Sequence, residues 1–546
     1  MVVEELQDNI SELPQIERLN AIGIALTSER NIPRLLEMVL SEAIRITRAD
    51  GGTLYTVDGD KLQFEVMRSN SLDLAMGGDS GETVAFYPIS LYNDDGSPNN
   101  AMVAAHAVLT RQTVNIVDAY AEEGFDFSGT RAFDHKTGYR STSFLTIPMQ
   151  NHENDVIGVL QLINKINEAT GKVVAFSLHD QHLAESLASQ VAVALSNRRL
   201  IDDLGHLFES FIKMIATTID EKSPHTAAHC ERVPALTMML ADTVHNVAHG
   251  PMKDFNMSEQ ERYALEVAAW LHDCGKITTP EYVIEKSTKL ETVYDRVNHI
   301  DTRFDVLKRD AEIKRLKNLL ALEGGAGNGK AEALDQTYRD EIQRIDEDRE
   351  FIRHCNIGGE MMAPEDQARV RSIGARTWMN SDGEMAPFLT ENEVYNLTIP
   401  KGSLTPEERQ IINNHMVATI KMLESLPFPK HLQNVPEYAG GHHEKMDGSG
   451  YPKGLTRDQM SVPARIMAIA DIFEALTAME RPYKDGMKLS KTLSILGRMK
   501  QQAHIDPDLF DVFIHEQVYL TYAQQYMDPE QIDIDDPEDI PGYPFD

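Results

Sequence analysis

Positive charge is in short supply in this chain. Its 546 residues hold 52 lysines and arginines against 86 aspartates and glutamates, a formal charge of −34. Non-specific contact with nucleic acid depends on neutralising phosphates with basic side chains, so nucleic acid is not expected as a partner. Cysteine is scarce as well. Cys230, Cys274 and Cys355 form neither a CxxC pair nor a disulfide framework, which suits a reducing cytosol. Long apolar runs are also missing. The stretch 156–163 is among the longest and falls far short of the ~20 residues of a membrane span. Residues 1–13 are acidic and lack the apolar core of a signal peptide. A cytoplasmic chain without a membrane span is therefore expected. What is present, 42% hydrophobic and 25% charged residues, is ordinary for a soluble protein. The length implies roughly two to four domains.

Residues 15–200 read as a mixed α/β module after a short extension, 1–14. Two helical patterns, 15–26 and 32–46, precede strand-like runs at 52–57, 61–67, 143–149 and 156–164. A long helix follows from about residue 177. Its apolar residues Leu183, Leu187, Val191 and Leu195, then Leu204, Phe208, Phe211 and Ile215, recur at helical spacing. Over 178–222 this is either a linker helix whose exposed seam pairs two protomers or a helix packed on its own domain, with Gly205 a candidate break. Residues 206–526 read as a helical bundle. Within it, 291–401 looks like an insertion of charged amphipathic helices, joined by a Gly-rich turn at 324–330. The tail 527–546 combines acids and prolines without Lys or Arg, a composition that predicts disorder. The fold class is α+β and multidomain.

The chemistry concentrates in a few short runs. His442-His443-Glu444 is followed within a few residues by Asp447 and by Gly450-Tyr451-Pro452. Far upstream, His272-Asp273 ends an apolar helical run, with Lys276 one turn on. His225 and His229, four apart, share a helix face. His415 lies in a helical segment, and Asp471 ends the apolar run 464–471. A carboxylate there is costly unless paired or bound to metal. Imidazoles and carboxylates from separate helices are how bundles build metal sites, and this donor set suits iron, manganese or zinc.

In this order the runs resemble the HD-GYP family of cyclic-dinucleotide phosphodiesterases, over about 205–290 and 402–500. The resemblance implies an all-α HD-type domain that hydrolyses a 3′,5′-phosphodiester of cyclic di-GMP to linear pGpG or GMP. Its metal ligands would be His229, His272, Asp273, His415, His442, His443 and Asp471, with Asp273 bridging two divalent ions, iron or manganese. Lys276 would face phosphate, with Asp273 and Lys276 the catalytic pair. Arg481 and Lys484 would grip the substrate, and Gly450, Tyr451 and Pro452 would shape its loop. Glu444 and Asp447 would orient ligands from behind. Some relatives hold a third metal through a glutamate where this chain has His225, a neutral donor that favours two ions over three. Cyclic GMP-AMP as substrate, binding of cyclic di-GMP without turnover, and a broader nucleotide phosphohydrolase stay open. The first module resembles a GAF domain. Asn164-Lys165, Phe176 and Asp180 resemble the Asn-Lys…Phe-x-x-x-Asp-Glu motif of cyclic-nucleotide-binding members, with Gln181 in place of the Glu. They either contact a small-molecule or cyclic-nucleotide ligand or brace the fold. A homodimer through the linker helix is expected.

Overall fold

The computed structural model describes residues 31–80, 82–84, 86–222, 229–322, 328–359, 361–380, 382–479 and 486–544. The expected helix over 15–26, together with His225, Arg481, Lys484 and most of the Gly-rich turn, lies outside the described residues. The chain divides into two compact units, Met1–Leu207 and Phe208–Asp546.

In the first unit, the helix Ile32–Thr47 starts at Asn31, whose side chain accepts from the Arg34 N–H, and carries proline in its first turn. Both features favour a helix start. Leu36, Val39, Leu40 and Ala43 recur on one face and are buried. The sheet runs β3-β2-β1-β7-β6-β5, with β4 on β2 and β8 on β7. Its strands are β1 (Ala49–Asp58), β2 (Lys61–Ser69), β3 (Leu74–Gly77), β4 (Ile89–Ser90), β5 (Val114–Ile116), β6 (Phe144–Gln150), β7 (Val156–Ile166) and β8 (Val173–Val174). The described pairings are antiparallel. One face of the sheet presents Leu54, Leu145, Leu160 and Leu162 to Leu40 of the first helix and to Leu187 and Val191 of the helix Leu178–Lys222. Alternate residues Tyr55 and Val159 point the other way, toward Ala104 and Val108 of the helix Val103–Thr110. Gly52 lets the first helix lie close, because a Cβ there would meet Gln161 O at 2.6 Å and a Leu40 methyl at 3.0 Å. Between the strands and the roof formed by Met102–Ala104 and residues 126–133 lies a cavity of about 310 Å³.

Among its described residues the second unit is helical, as expected, except for a small hairpin of β9 (Thr377–Met379) and β10 (Met385–Pro387). Its main core joins Leu236, Leu240, Val267, Ile466, Phe473, Phe510, Phe513 and Tyr522. The helices Val297–Leu322 and Asn328–Asn356 belong to a second core with Phe304, Ile352, Val370 and Phe388. Arg303 clamps this subregion through paired 2.8 Å bonds to Glu393. The helix Leu178–Lys222 runs through Gly205 without a break.

The described residues of the acidic tail, 527–544, take up defined structure, contrary to expectation. Ile534 and Ile540 are buried in the main core, and Gln531 donates to Thr477 O (2.9 Å) and Met487 O (3.0 Å). Its acids have local uses that composition does not reveal. Asp528 and Asp536 cap the turns Pro529–Gln531 and Pro537–Asp539, and Asp533 accepts from Ser490 N at 2.9 Å.

Candidate metal centre

Five backbone segments deliver the site residues. His229 lies on the helix described over His229–Asn246. The helix Glu259–Leu271 begins at a Ser258–Glu261 capping box and ends on His272. Asp273 then leads into the turn Cys274–Thr278, which carries Lys276. Gly275 lets this turn rest on the helix Pro406–Glu424, because a Cβ there would lie 2.0 Å from His415 O. The Gly275 N–H donates to Thr419 Oγ1 at 2.9 Å. His415 comes from the middle of that helix, His442 and His443 follow the helix Val435–Gly440, and Asp471 comes from Val462–Thr477.

The structure brings these residues together around Asp273. Its Oδ2 lies 3.5 Å from His229 Nε2 and 3.3 Å from His272 Nε2, while its Oδ1 lies 3.3 Å from His415 Nε2. Asp471 Oδ1 is 3.4 Å from His229 Nε2 and 3.8 Å from His272 Nε2. Two donor groups result, His229 with His272 and Asp273, and His415 with His442 and His443; within each, the donor atoms lie within 4.8 Å of one another.

The outer nitrogens decide what the inner ones can do. Nδ1 of His272 donates to Ala269 O (2.7 Å), that of His415 to Ile412 O (2.5 Å) and that of His442 to Ala439 O (2.7 Å). A proton on Nδ1 leaves a lone pair on Nε2. Nε2 of His272, His415 and His442, and Oδ1 of Asp273, are buried and make no hydrogen bond. Buried polar atoms normally find partners. Four that converge without one, all of them metal donors, fit the binding of divalent metal.

Charge points the same way. Burial and the neighbouring His443 and His272 push the His442 pKa well down, and burial pushes that of His443 down to about 4. Burial opposes ionisation of Asp273, but Lys276, His272 and His229 hold its carboxyl well below the usual range. Burial would likewise lower the His229 pKa, yet Asp273, Asp471 and Glu474 raise it well above that of an ordinary histidine. Three carboxylates therefore converge on one ring, a place that favours positive charge.

Glu474 is the residue that sequence reasoning missed. It is buried, accepts from His229 Nδ1, and takes Arg232 Nε at 2.7 Å. Its signal was present: it lies one turn after Asp471 in a helix whose other charged residue is Arg465 near its start. Lys276 Nζ is ion-paired with Asp273. Glu444 is buried and accepts from Lys453 N (2.7 Å) and Leu455 N (2.9 Å), which fixes the loop carrying Gly450, Tyr451 and Pro452. The Tyr451 ring stacks on His443 at 4.9 Å. Asp447 has a different place from the one expected: it is exposed and caps a turn by accepting from Ser449 N at 2.8 Å.

The four motif residues of the first unit do not line its cavity. Asn164 accepts from Thr142 N (2.7 Å) and donates to Arg140 O (2.7 Å). Lys165 pairs with Asp180, which also accepts from Ser177 N (2.7 Å), and Phe176 is a core side chain. They brace the junction between strand and helix.

Residues 31–195 match the GAF domain family, and residues 390–509 match the HD domain family. The latter range holds His415, His442, His443 and Asp471, while His229, His272 and Asp273 come from well upstream. A probable cyclic di-GMP phosphodiesterase of Vibrio cholerae is 30% identical over 237 residues, 41% of this chain and 50% of that protein. The 3′3′-cGAMP-specific phosphodiesterase 1 of the same organism is 42% identical over 92 residues, 17% of this chain and 20% of that protein. A cyclic di-GMP phosphodiesterase of Thermotoga maritima is 26% identical over 250 residues, 42% and 64% of the two chains. The chain thus spans half the length of the first of these relatives and a fifth of the second. The chain carries a match to the GAF domain family and a match to the HD domain family, and is similar over part of their length to proteins named as cyclic-dinucleotide phosphodiesterases.

Proposed function

We propose that the second unit is a metal-dependent phosphodiesterase. It hydrolyses a 3′,5′-phosphodiester of cyclic di-GMP to linear pGpG, with GMP as the product of a further cut, and the GAF domain regulates it. The observation that carries this reading is Asp273, whose two oxygens face two separate imidazole groups. His229, His272 and Asp273 would hold one ion, His415, His442 and His443 the other, with Asp471 on the side of the first. Iron or manganese fits a donor set without sulfur; His225, outside the described residues, is the candidate donor for a third ion. Such a pair supplies Lewis acidity and a water of lowered pKa.

The chain's own groups do the rest. Lys276, already beside Asp273, offers a cation to a non-bridging phosphate oxygen. Arg481 and Lys484, outside the described residues, are assigned to the remaining phosphate charge. Tyr451, on the His443 ring, gives a base or sugar an aromatic face. The HD turn is held from behind by Lys222, whose Nζ donates to Ile277 O (2.5 Å) and Thr279 O (2.8 Å). Three free, buried cysteines are in keeping with a cytoplasmic setting. We assign a homodimer to the exposed row Val193, Leu200, Leu204 and Leu207 on the helix Leu178–Lys222.

The test is turnover. Metal-loaded protein is incubated with cyclic di-GMP and, in parallel, with 3′3′-cyclic GMP-AMP, and nucleotides are followed by chromatography. Linear pGpG or GMP, abolished in a folded Asp273→Ala variant, is the expected result. Preferential loss of cyclic GMP-AMP would favour the second reading, which rests on the 41–42% identity to two relatives bearing that name. Binding of either compound without product would reduce the domain to a receptor.

A further inference from the structure

The cavity of the first unit is a feature that the metal centre does not use. Its volume, about 310 Å³, is at the small end of ligand sites. Its walls are aromatic. Tyr55 and Phe64 lie 4.7 Å apart between ring centres, Phe64 and Phe86 5.4 Å, and Phe127 and Phe144 5.4 Å. A flat ring entering between them would meet ring faces and edges at favourable offsets. One polar strip crosses this surface. Tyr55 Oη donates to Gln161 Oε1 at 3.2 Å, and Gln161 Nε2 donates to Thr146 Oγ1 at 3.0 Å. The Gln161 amide keeps one N–H and one acceptor direction for a guest.

Charge is what separates ligand classes here. Arg68 is the single cation among the described lining residues, and it is already committed. Its Nη1 donates to Met67 O (2.8 Å) and Met76 O (2.6 Å), and its Nη2 to Gly77 O (3.1 Å) and to Glu37 Oε1 (2.7 Å). A phosphate reaching it would find its charge neutralised and its terminal N–H groups filled. Two carboxylates add to the discouragement. Asp126 stands exposed at the rim, accepting from Ser128 N at 2.8 Å. Asp50 is buried behind the wall and accepts from Ser69, Ser71 and the Tyr139 hydroxyl. An anion buried here would go uncompensated, which is costly.

We propose that this chamber binds an uncharged ring compound carrying a hydrogen-bonding group, and that it rejects phosphorylated nucleotides, cyclic nucleotides included. Its effect on turnover rests on the reading of the first unit as the regulator, whereas binding itself does not.

Calorimetry on the full chain tests this with one ring in three charge states: indole, indole-3-acetate and tryptamine, with cyclic GMP as the nucleotide. Indole is expected to bind one per chain, and at least about ten-fold more tightly than indole-3-acetate, since an unpaired buried carboxylate costs that much or more. Thr130→Trp, which fills the chamber from its half-buried rim, is expected to abolish binding with the thermal transition unchanged. If that variant unfolds, Phe133→Ala takes its place and is expected to weaken indole. Tighter binding of cyclic GMP, indole-3-acetate or tryptamine than of indole would overturn the proposal. So would silence of all four. Phosphodiesterase rate with and without indole is read separately, so a dead enzyme does not obscure the binding result.

Discussion

Glu474 receives the outer nitrogen of His229 while Arg232 holds its other oxygen at 2.7 Å. The other three rings whose outer nitrogen is fixed lean on carbonyls of their own helix turns. For His229 the partner is instead a side chain of the helix Val462–Thr477. A carboxylate from another helix therefore sets its tautomer and angle. Replacing Glu474 with alanine should lower metal affinity by about 10- to 100-fold, the usual effect of losing an outer partner. Glu474→Asp should recover part of it. Metal content by mass spectrometry after dialysis against graded chelator reads this directly, and the thermal transition separates it from unfolding. Unchanged affinity in a folded Glu474→Ala protein would remove the positioning role.

Gly275 offers a sharper steric test. A methyl group there would sit 2.0 Å from His415 O and 2.5 Å from Thr419 N, both backbone atoms that cannot swing aside. Gly275→Ala should destabilise the second unit by about 1–3 kcal/mol, the range for overpacking. It should also separate Asp273 from His415, weakening metal retention beyond what the stability loss explains. Thr419→Val, which removes only the hydroxyl that accepts from Gly275 N, should cost stability and leave metal content nearly intact. Denaturant melts with metal analysis distinguish the two.

The parts legible from the chain alone are those in which residue type conflicts with its surroundings. His272-Asp273 after an apolar helix, and Asp471 within another, announce themselves because buried charge needs a partner. Strands β1, β2, β6 and β7 were legible through their period, whereas the shorter β3, β4, β5 and β8 were not read, and the long helix was legible through its apolar faces, which outweigh the roughly 1 kcal/mol that Gly205 costs. Glu474 escaped because a lone Glu in a helix is usually solvated. Asn164, Lys165 and Asp180 point to a ligand and to an ion pair equally well by type, and only geometry separates the two. The tail was misjudged on its acids, when Ile534 and Ile540 decide its fate.

The Lys165–Asp180 pair has a consequence for pH. Burial raises the Asp180 pKa, but Lys165 and Ser177 outweigh it and bring the carboxyl below its ordinary value. A carboxyl depressed on folding stabilises the native state above its unfolded pKa, near 3.9, and loses that contribution as pH falls through the folded value. Asp180→Asn should therefore melt at lower temperature than the parent at neutral pH. The gap should shrink below about pH 4. A gap constant from neutral to strongly acidic pH would mean that the ion pair is not its source. Cyclic-nucleotide binding, if the chain has any, should not respond directly to this change, since Asp180 does not line the cavity.

The helix Leu178–Lys222 carries the prediction about assembly. Val193, Leu200, Leu204 and Leu207 are each about half exposed, and their spacings of seven, four and three follow the seam of a parallel coiled coil. Leu187, Val191 and Leu195 point instead into the core of the first unit, so the outer row is not needed to hold that domain together. Leu200→Glu with Leu204→Glu places like charges across such a seam. Light scattering coupled to gel filtration should report a dimer for the parent chain and a monomer for the double variant, with both giving the same far-ultraviolet dichroism. If pairing is how the first domain controls the second, the monomer should keep its metals but lose its response to any first-domain ligand. A parent chain that is monomeric at every concentration tested would remove both the dimer and that route of control.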